Sequence, residues 1–141
     1  PMTMPLTGSC NCGAVAFEVS GPLRDVIACH CTLCRKQSGQ YVGFTAAWNE
    51  HFRVTEDRGL KWYRSGPDTQ RGFCGTCGAV LLFRRDGAEH VSIAAGAFDG
   101  ATGLSLKAHI FAADKGDYYD IAGEGVEVCE AYGHHIEMPD R

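Results

Sequence analysis

The chain has 141 residues, 45% hydrophobic and 21% charged, with a formal net charge of −4. That fits one globular domain able to bury a real core, and without a long basic run nucleic acid is not an expected partner. No apolar stretch is long enough to cross a membrane, so no membrane partner is expected, and residues 1–5 lack the basic start and apolar run of a signal peptide.

The 18 glycines are spread along the chain, which favours short strands and turns over long helices. Residues 13–19 place Val15, Phe17 and Val19 on one face of a half-buried strand, and Gly21-Pro22 ends it. Residues 26–28 read as a short strand running into Cys29-His30-Cys31-Thr32-Leu33-Cys34-Arg35-Lys36. Residues 32–38 suit one or two helical turns, with Thr32 as N-cap and Gly39 as the stop. Further strands are expected at 41–48, 52–55, 60–64, 79–84, 91–94 and 107–111, with Asp57-Arg58-Gly59 as a turn and 70–73 leading into Cys74. No repeat, low-complexity segment or linker interrupts them. The expectation is a mainly β, single zinc-binding domain over residues 1–141, with a core of about 6–121 and a tail of about 122–141.

Eight cysteines fall as Cys10-x-Cys12, Cys29-x-Cys31-xx-Cys34 and Cys74-xx-Cys77, with Cys129 alone. Without an export signal such clusters indicate metal binding in a reducing cytoplasm, and thiols so close in sequence make strained disulfides. Cys74-Gly75-Thr76-Cys77-Gly78 is a zinc knuckle that supplies two ligands. Cys10-Asn11-Cys12-Gly13 directs two more sulfurs to one side of an extended chain. A four-cysteine site from these halves would tie the N-terminus to the middle of the chain, worth on the order of 10 kcal/mol of folding free energy. Spacing alone leaves the pairing open, since Cys10 and Cys12 with Cys29 and Cys31 is formally possible.

If Cys10, Cys12, Cys74 and Cys77 form one site, then Cys29, Cys31 and Cys34 form a second with an open fourth position. Three thiolates leave Zn²⁺ with a net negative charge, a weak Lewis acid toward water but a good acceptor for a substrate thiol, held as a nucleophilic thiolate. Arg35 is the expected contact for a substrate carboxylate, while Lys36 faces water.

Residues 8–17 (Gly-Ser-Cys-Asn-Cys-Gly-Ala-Val-Ala-Phe), 29–39 and 73–78 resemble the glutathione-dependent formaldehyde-activating enzyme family, which includes centromere protein V. Gly96-Ala97-Phe98-Asp99 and His109-Ile110-Phe111, with Lys115 and Tyr118, resemble its later segments. The resemblance implies a β-tent of short antiparallel strands similar to methionine-R-sulfoxide reductases. It implies two zinc ions: a structural one on Cys10, Cys12, Cys74 and Cys77, and a catalytic one on Cys29, Cys31 and Cys34. It also implies a carbon–sulfur lyase reaction that adds glutathione to formaldehyde.

His30, between two ligands of an extended segment, is expected to point away from the metal. His109 reads as a buried or rim histidine, with a proton shuttle as the alternative. His134 and His135 are expected in solvent, Cys129 is a lone thiol, and Tyr41, Phe44, Trp48 and Trp62 are core or pocket residues. Two other functions compete. One is a non-catalytic module in which Cys129 or a histidine completes the second zinc site. The other is a sulfoxide reductase using Cys129, whose neighbours Val128 and Glu130 offer no base that would activate it.

Overall fold

Runs of branched and aromatic residues between glycine turns become short strands. The computed structural model describes residues 5–121, 125–133 and 136–141. In chain order the elements are β1 (Leu6–Ser9), β2 (Ala16–Val19), β3 (Val26–Cys29), α1 (Thr32–Ser38), β4 (Val42–Trp48) and β5 (Phe52–Glu56). There follow β6 (Leu60–Arg64), β7 (Thr69–Cys74), β8 (Val80–Arg85), β9 (His90–Ala94), β10 (Leu106–Ile110) and β11 (Glu127–Val128). The fold is mainly β, as expected.

The strands form two sheets, one of three strands ordered β1-β2-β5 and one of eight ordered β11-β10-β3-β4-β9-β8-β7-β6. Most pairs are antiparallel. The exceptions are β10 with β3 and β11 with β10, which run parallel. Parallel neighbours need a long crossover, and here the whole run from β4 to β9 serves as one.

The expected face of Val15, Phe17 and Val19 is buried. Phe17 meets Phe98 edge to face at 5.4 Å and Phe52 at 5.6 Å, which locks the small sheet onto the core. β1 lies outside the sequence reading because Leu-Thr-Gly-Ser carries no strand pattern. It forms by pairing Leu6 with Val19 through Ser9 with Ala16. Gly8 permits this, since a Cβ there would stand 2.2 Å from the Phe17 ring.

Alternation gives the large sheet two roles. Leu82, Val91 and Ile93 turn toward the main core with Phe17 and Val15. Their neighbours Phe83 and Arg85 on β8, His90 and Ser92 on β9, and Ile27 and Cys29 on β3 line a cavity on the other face. A helix and the C-terminal segment close over that face. Trp48 Nε1 donates to the Pro139 carbonyl at 2.9 Å, and Arg141 stacks on Trp48 at 4.0 Å while pairing with Glu50 and Glu89, both at 2.8 Å. The tail is therefore packed on the domain. His134 and His135 lie outside the described residues.

Candidate metal centres

Cys10, Cys12, Cys74 and Cys77 come together with all four sulfurs within 4.8 Å of one another. The turns that bring them there end in Gly13 (φ +80°) and Gly78 (φ +81°), a backbone region that other residues adopt only with strain. Cys10 and Cys12 sulfurs stand 3.7 Å apart, as do those of Cys12 and Cys74. A tetrahedron with metal–sulfur bonds of the zinc length has edges of about 3.8 Å, whereas a disulfide would need about 2.05 Å. Backbone N–H groups converge on the sulfurs: Val15 on Cys10 at 3.2 Å, and Thr76 and Cys77 on Cys74, both at 3.4 Å. Hydrogen bonds from the Ala79 and Cys12 backbone bring Cys77 down to about 6, against burial. The Ala14 backbone pulls Cys12 down, but burial and the three neighbouring sulfurs outweigh it and push Cys12 up to about 11. The donor set and spacing fit a four-coordinate zinc.

Cys29, Cys31 and Cys34 form a second group, again with sulfurs within 4.8 Å. Cys29 ends β3, and Cys34 lies buried in the first turns of α1. The helix N-cap is Cys31, not Thr32: its sulfur accepts from the Cys34 N–H at 3.4 Å. A thiolate can replace a hydroxyl here because the cap needs only an acceptor, and the helix N-terminus favours its charge. Gly39 closes the helix as expected, its N–H donating to the Arg35 carbonyl at 2.8 Å.

Arg71, from the middle of β7, is the cation at this group. Its Nη1 donates to the Cys34 sulfur at 3.3 Å and to Gln37 Oε1 at 3.1 Å, and its Nη2 lies 3.9 Å from the Cys31 sulfur. Only 5% of Arg71 is exposed, and the guanidinium lies 5.2 Å from the centre of the Phe83 ring. Contacts with the Cys29 and Cys34 sulfurs, the Cys34 N–H and the Arg71 charge hold Cys31 well below the usual thiol range, against burial. The Cys31 and Cys34 sulfurs and burial push Cys29 far above it. Three sulfurs this close, two of them buried and one half-buried, cannot all be thiolates unless a cation joins them. The group therefore also fits a metal ion, with three protein ligands. Among the described residues no fourth Cys, His, Asp or Glu joins it.

Cys29, Cys31 and Cys34 all line a cavity of about 410 Å³. Phe44, Phe83, Ile110 and Phe111 supply apolar wall. Arg35 does not line it: its Nε donates to the Asp114 carbonyl at 3.2 Å outside. Lys36 is exposed, as expected. Sequence reading missed Arg71, because Thr-Gln-Arg-Gly-Phe-Cys of β7 carries no apolar alternation that would mark an inward-turned cation. His30 is fully buried, with Nδ1 2.6 Å from the Tyr119 hydroxyl and Nε2 2.9 Å from His109 Nδ1. Both ring nitrogens are thus engaged, and neither histidine joins the sulfurs. Cys129 packs beside this core but is not one of the clustered sulfurs. No cysteine of the chain is in a disulfide.

Among solved structures, the crystal structure of a Rhodobacter sphaeroides protein is similar, with 27% identity and a TM-score of 0.58 over 69% of this chain and 91% of that one. No curated protein matches the chain. The family model described as glutathione-dependent formaldehyde-activating enzyme matches residues 5–114, a span that holds both cysteine groups and Arg71. By that match the chain belongs to the glutathione-dependent formaldehyde-activating enzyme family.

Proposed function

We propose that this protein is a zinc-dependent enzyme of the carbon–sulfur lyase type. It joins a small, glutathione-like thiol to an aldehyde-type electrophile, as in making S-(hydroxymethyl)glutathione from formaldehyde. In that addition the thiol sulfur bonds to the carbonyl carbon, the C=O π pair becomes a hydroxyl, and the thiol proton ends on that oxygen. The observation that carries this reading is the inequality of the two groups: four sulfurs at tetrahedral spacing, against three that line a cavity.

Cys10, Cys12, Cys74 and Cys77 would hold a structural zinc, and Cys29, Cys31 and Cys34 a second, catalytic one. Zinc at the second group supplies a position for the substrate sulfur and favours its thiolate form. Arg71 offsets the negative charge of the three cysteines and holds Cys34 and Cys31 in place. Phe44, Phe83 and Ile110 keep water from competing for the electrophile. We assign the cation of the site to Arg71 in place of Arg35. A single domain working in a reducing cytoplasm belongs to the same reading.

The test is metal content and zinc-edge absorption. The protein should bind two zinc ions, and adding glutathione should raise the sulfur count at one of them from three to four. Cys34→Ser should stay folded, keep one zinc, and lose thiol binding and activity. A Cys34→Ser protein with both zinc ions and full activity would sink this assignment.

A further inference from the structure

The three cysteines line one part of the cavity, and the part beside Arg24 has a different chemistry. Arg24 stands there, just before β3. Its Nη2 donates to the Phe44 carbonyl at 3.1 Å and its Nε to the Asp25 carbonyl at 3.3 Å. Both acceptors are neutral. Among the described residues no carboxylate pairs with Arg24, whereas Arg85 is paired with Asp68 at 2.8 Å and Arg71 is turned to the sulfurs. The described lining residues include three arginines and a histidine, and no aspartate or glutamate. Burial brings Arg24 down to about 10, opposed by Tyr132. It therefore remains a cation at neutral pH, half-buried and without an ion pair among the described residues. Tyr132, Gly133 and Ile136 also line the cavity and lie beyond the residues the family model matches.

We propose that this part of the cavity binds the carboxylate of an apolar ligand without an ammonium group, and that Arg24 is its partner. The register fixes the scale. The Arg24 guanidinium is held at Phe44, which pairs with Ile27, two residues before Cys29. The carboxylate and sulfur ends are then separated by roughly 7 Å along the strand. Ile27, Phe44, Phe83 and Ile110 between them suit a hydrocarbon linker. An ammonium, such as that on the glutamyl end of glutathione, meets arginines and no acid among the described lining residues of this cavity; Asp25 and Glu137, the acids near Arg24, line the adjoining pocket instead. Among the small thiols of the proposed function, glutathione included, the one this wall favours is a short apolar mercapto acid. Its thiol rests on the function proposed above; its carboxylate contact does not.

The experiment is calorimetric titration of the zinc-loaded full chain with three thiol-free probes: phenylbutyrate, its neutral amide, and the amino acid homophenylalanine. Phenylbutyrate should bind at least about tenfold more tightly than either of the others, the scale of one charge-assisted contact. Arg24→Met should remove that advantage and leave amide binding unchanged, and Arg24→Lys should restore part of it. Equal binding of acid and amide, equal binding of acid and amino acid, or no binding of the acid to folded wild-type protein overturns the proposal. If Arg24→Met does not fold, the three-probe comparison on the wild type decides. Phenylbutyrate binding without coordination of any added thiol would refute the thiol reading alone. Thiol coordination without phenylbutyrate selectivity would refute only the carboxylate site.

Discussion

At the scale of residues, Arg71 differs from every other arginine described, because its main partners are sulfurs. Its charge helps lower Cys31, while the Cys34 and Cys31 sulfurs raise its own basicity despite burial. Zinc competes with protons for thiolates, so a group that lowers a thiol pKa favours metal at a given pH. Arg71→Met removes that help, and the thiol pKa of Cys31 should rise. Zinc affinity at the three-cysteine group should fall by about 10- to 100-fold, the usual range for losing a residue that supports metal ligands. The loss should be largest at low pH and shrink as pH rises past the thiol range. Competition with a chromophoric chelator across pH measures it. A pH-independent loss would mean that Arg71 only packs against Phe83. The pair His30 and His109 is different in kind. Burial lowers both, and two neutral rings linked to Tyr119 form a buried polar brace behind β3 and β10 rather than a second ligand set.

Elements show the same economy in α1, whose N-cap is also a candidate metal ligand. Two variants separate the roles. Cys31→Ser keeps an acceptor for the Cys34 N–H, and Cys31→Ala does not. Both should lose the second zinc. The alanine variant should in addition be less stable by about 1 kcal/mol, the ordinary cost of losing a cap. Thermal unfolding of the two side by side decides, and equal stability would remove the cap from the account. Elements are also where sequence and structure can be compared. β2 to β6 and β8 to β10 carried branched or aromatic residues dense enough to mark them, while Thr-Gln-Arg-Gly-Phe-Cys of β7 reads only as a lead into Cys74; the spacing marked the cysteine clusters, and the family resemblance grouped them. β1 and β11 were invisible because tertiary pairing, not their own residues, makes them strands: β1 needs the Phe17 ring beneath Gly8, and β11 needs the edge of β10. Arg71 and Arg24 were invisible for a related reason. Whether an arginine faces solvent or a cavity depends on which neighbours its strand acquires, and sequence supplies no register between β3, β7 and β8.

For the whole molecule, the four-cysteine corner joins parts of the chain that hydrogen bonding joins only sparsely. The Gly59 N–H donates to the Ala14 carbonyl and the Gly75 N–H to the Gly59 carbonyl, so the turn between β5 and β6 lies between the two knuckles. A Cβ at Gly59 would stand 3.1 Å from the Cys74 sulfur. With the corner closed, β1 and β2 are fixed against β6 and β7, and the cavity face acquires its floor. Chelation should therefore be stepwise. Accessibility does not set the order, because Cys12 is exposed and Cys77 half-buried, while Cys29 and Cys34 are buried. Ligand number does: three thiolates release zinc before four. The first zinc should leave with the far-ultraviolet dichroism intact and thiol binding lost. Removal of the second should coincide with unfolding, because its binding contributes on the order of 10 kcal/mol to folding, comparable to the whole stability of a domain this size. Cys74→Ser should reproduce that second step and leave the protein unfolded. Dichroism recorded alongside released zinc follows both steps. Loss of structure with the first ion would place the structural role at Cys29, Cys31 and Cys34, and would undo the division of labour between the two groups.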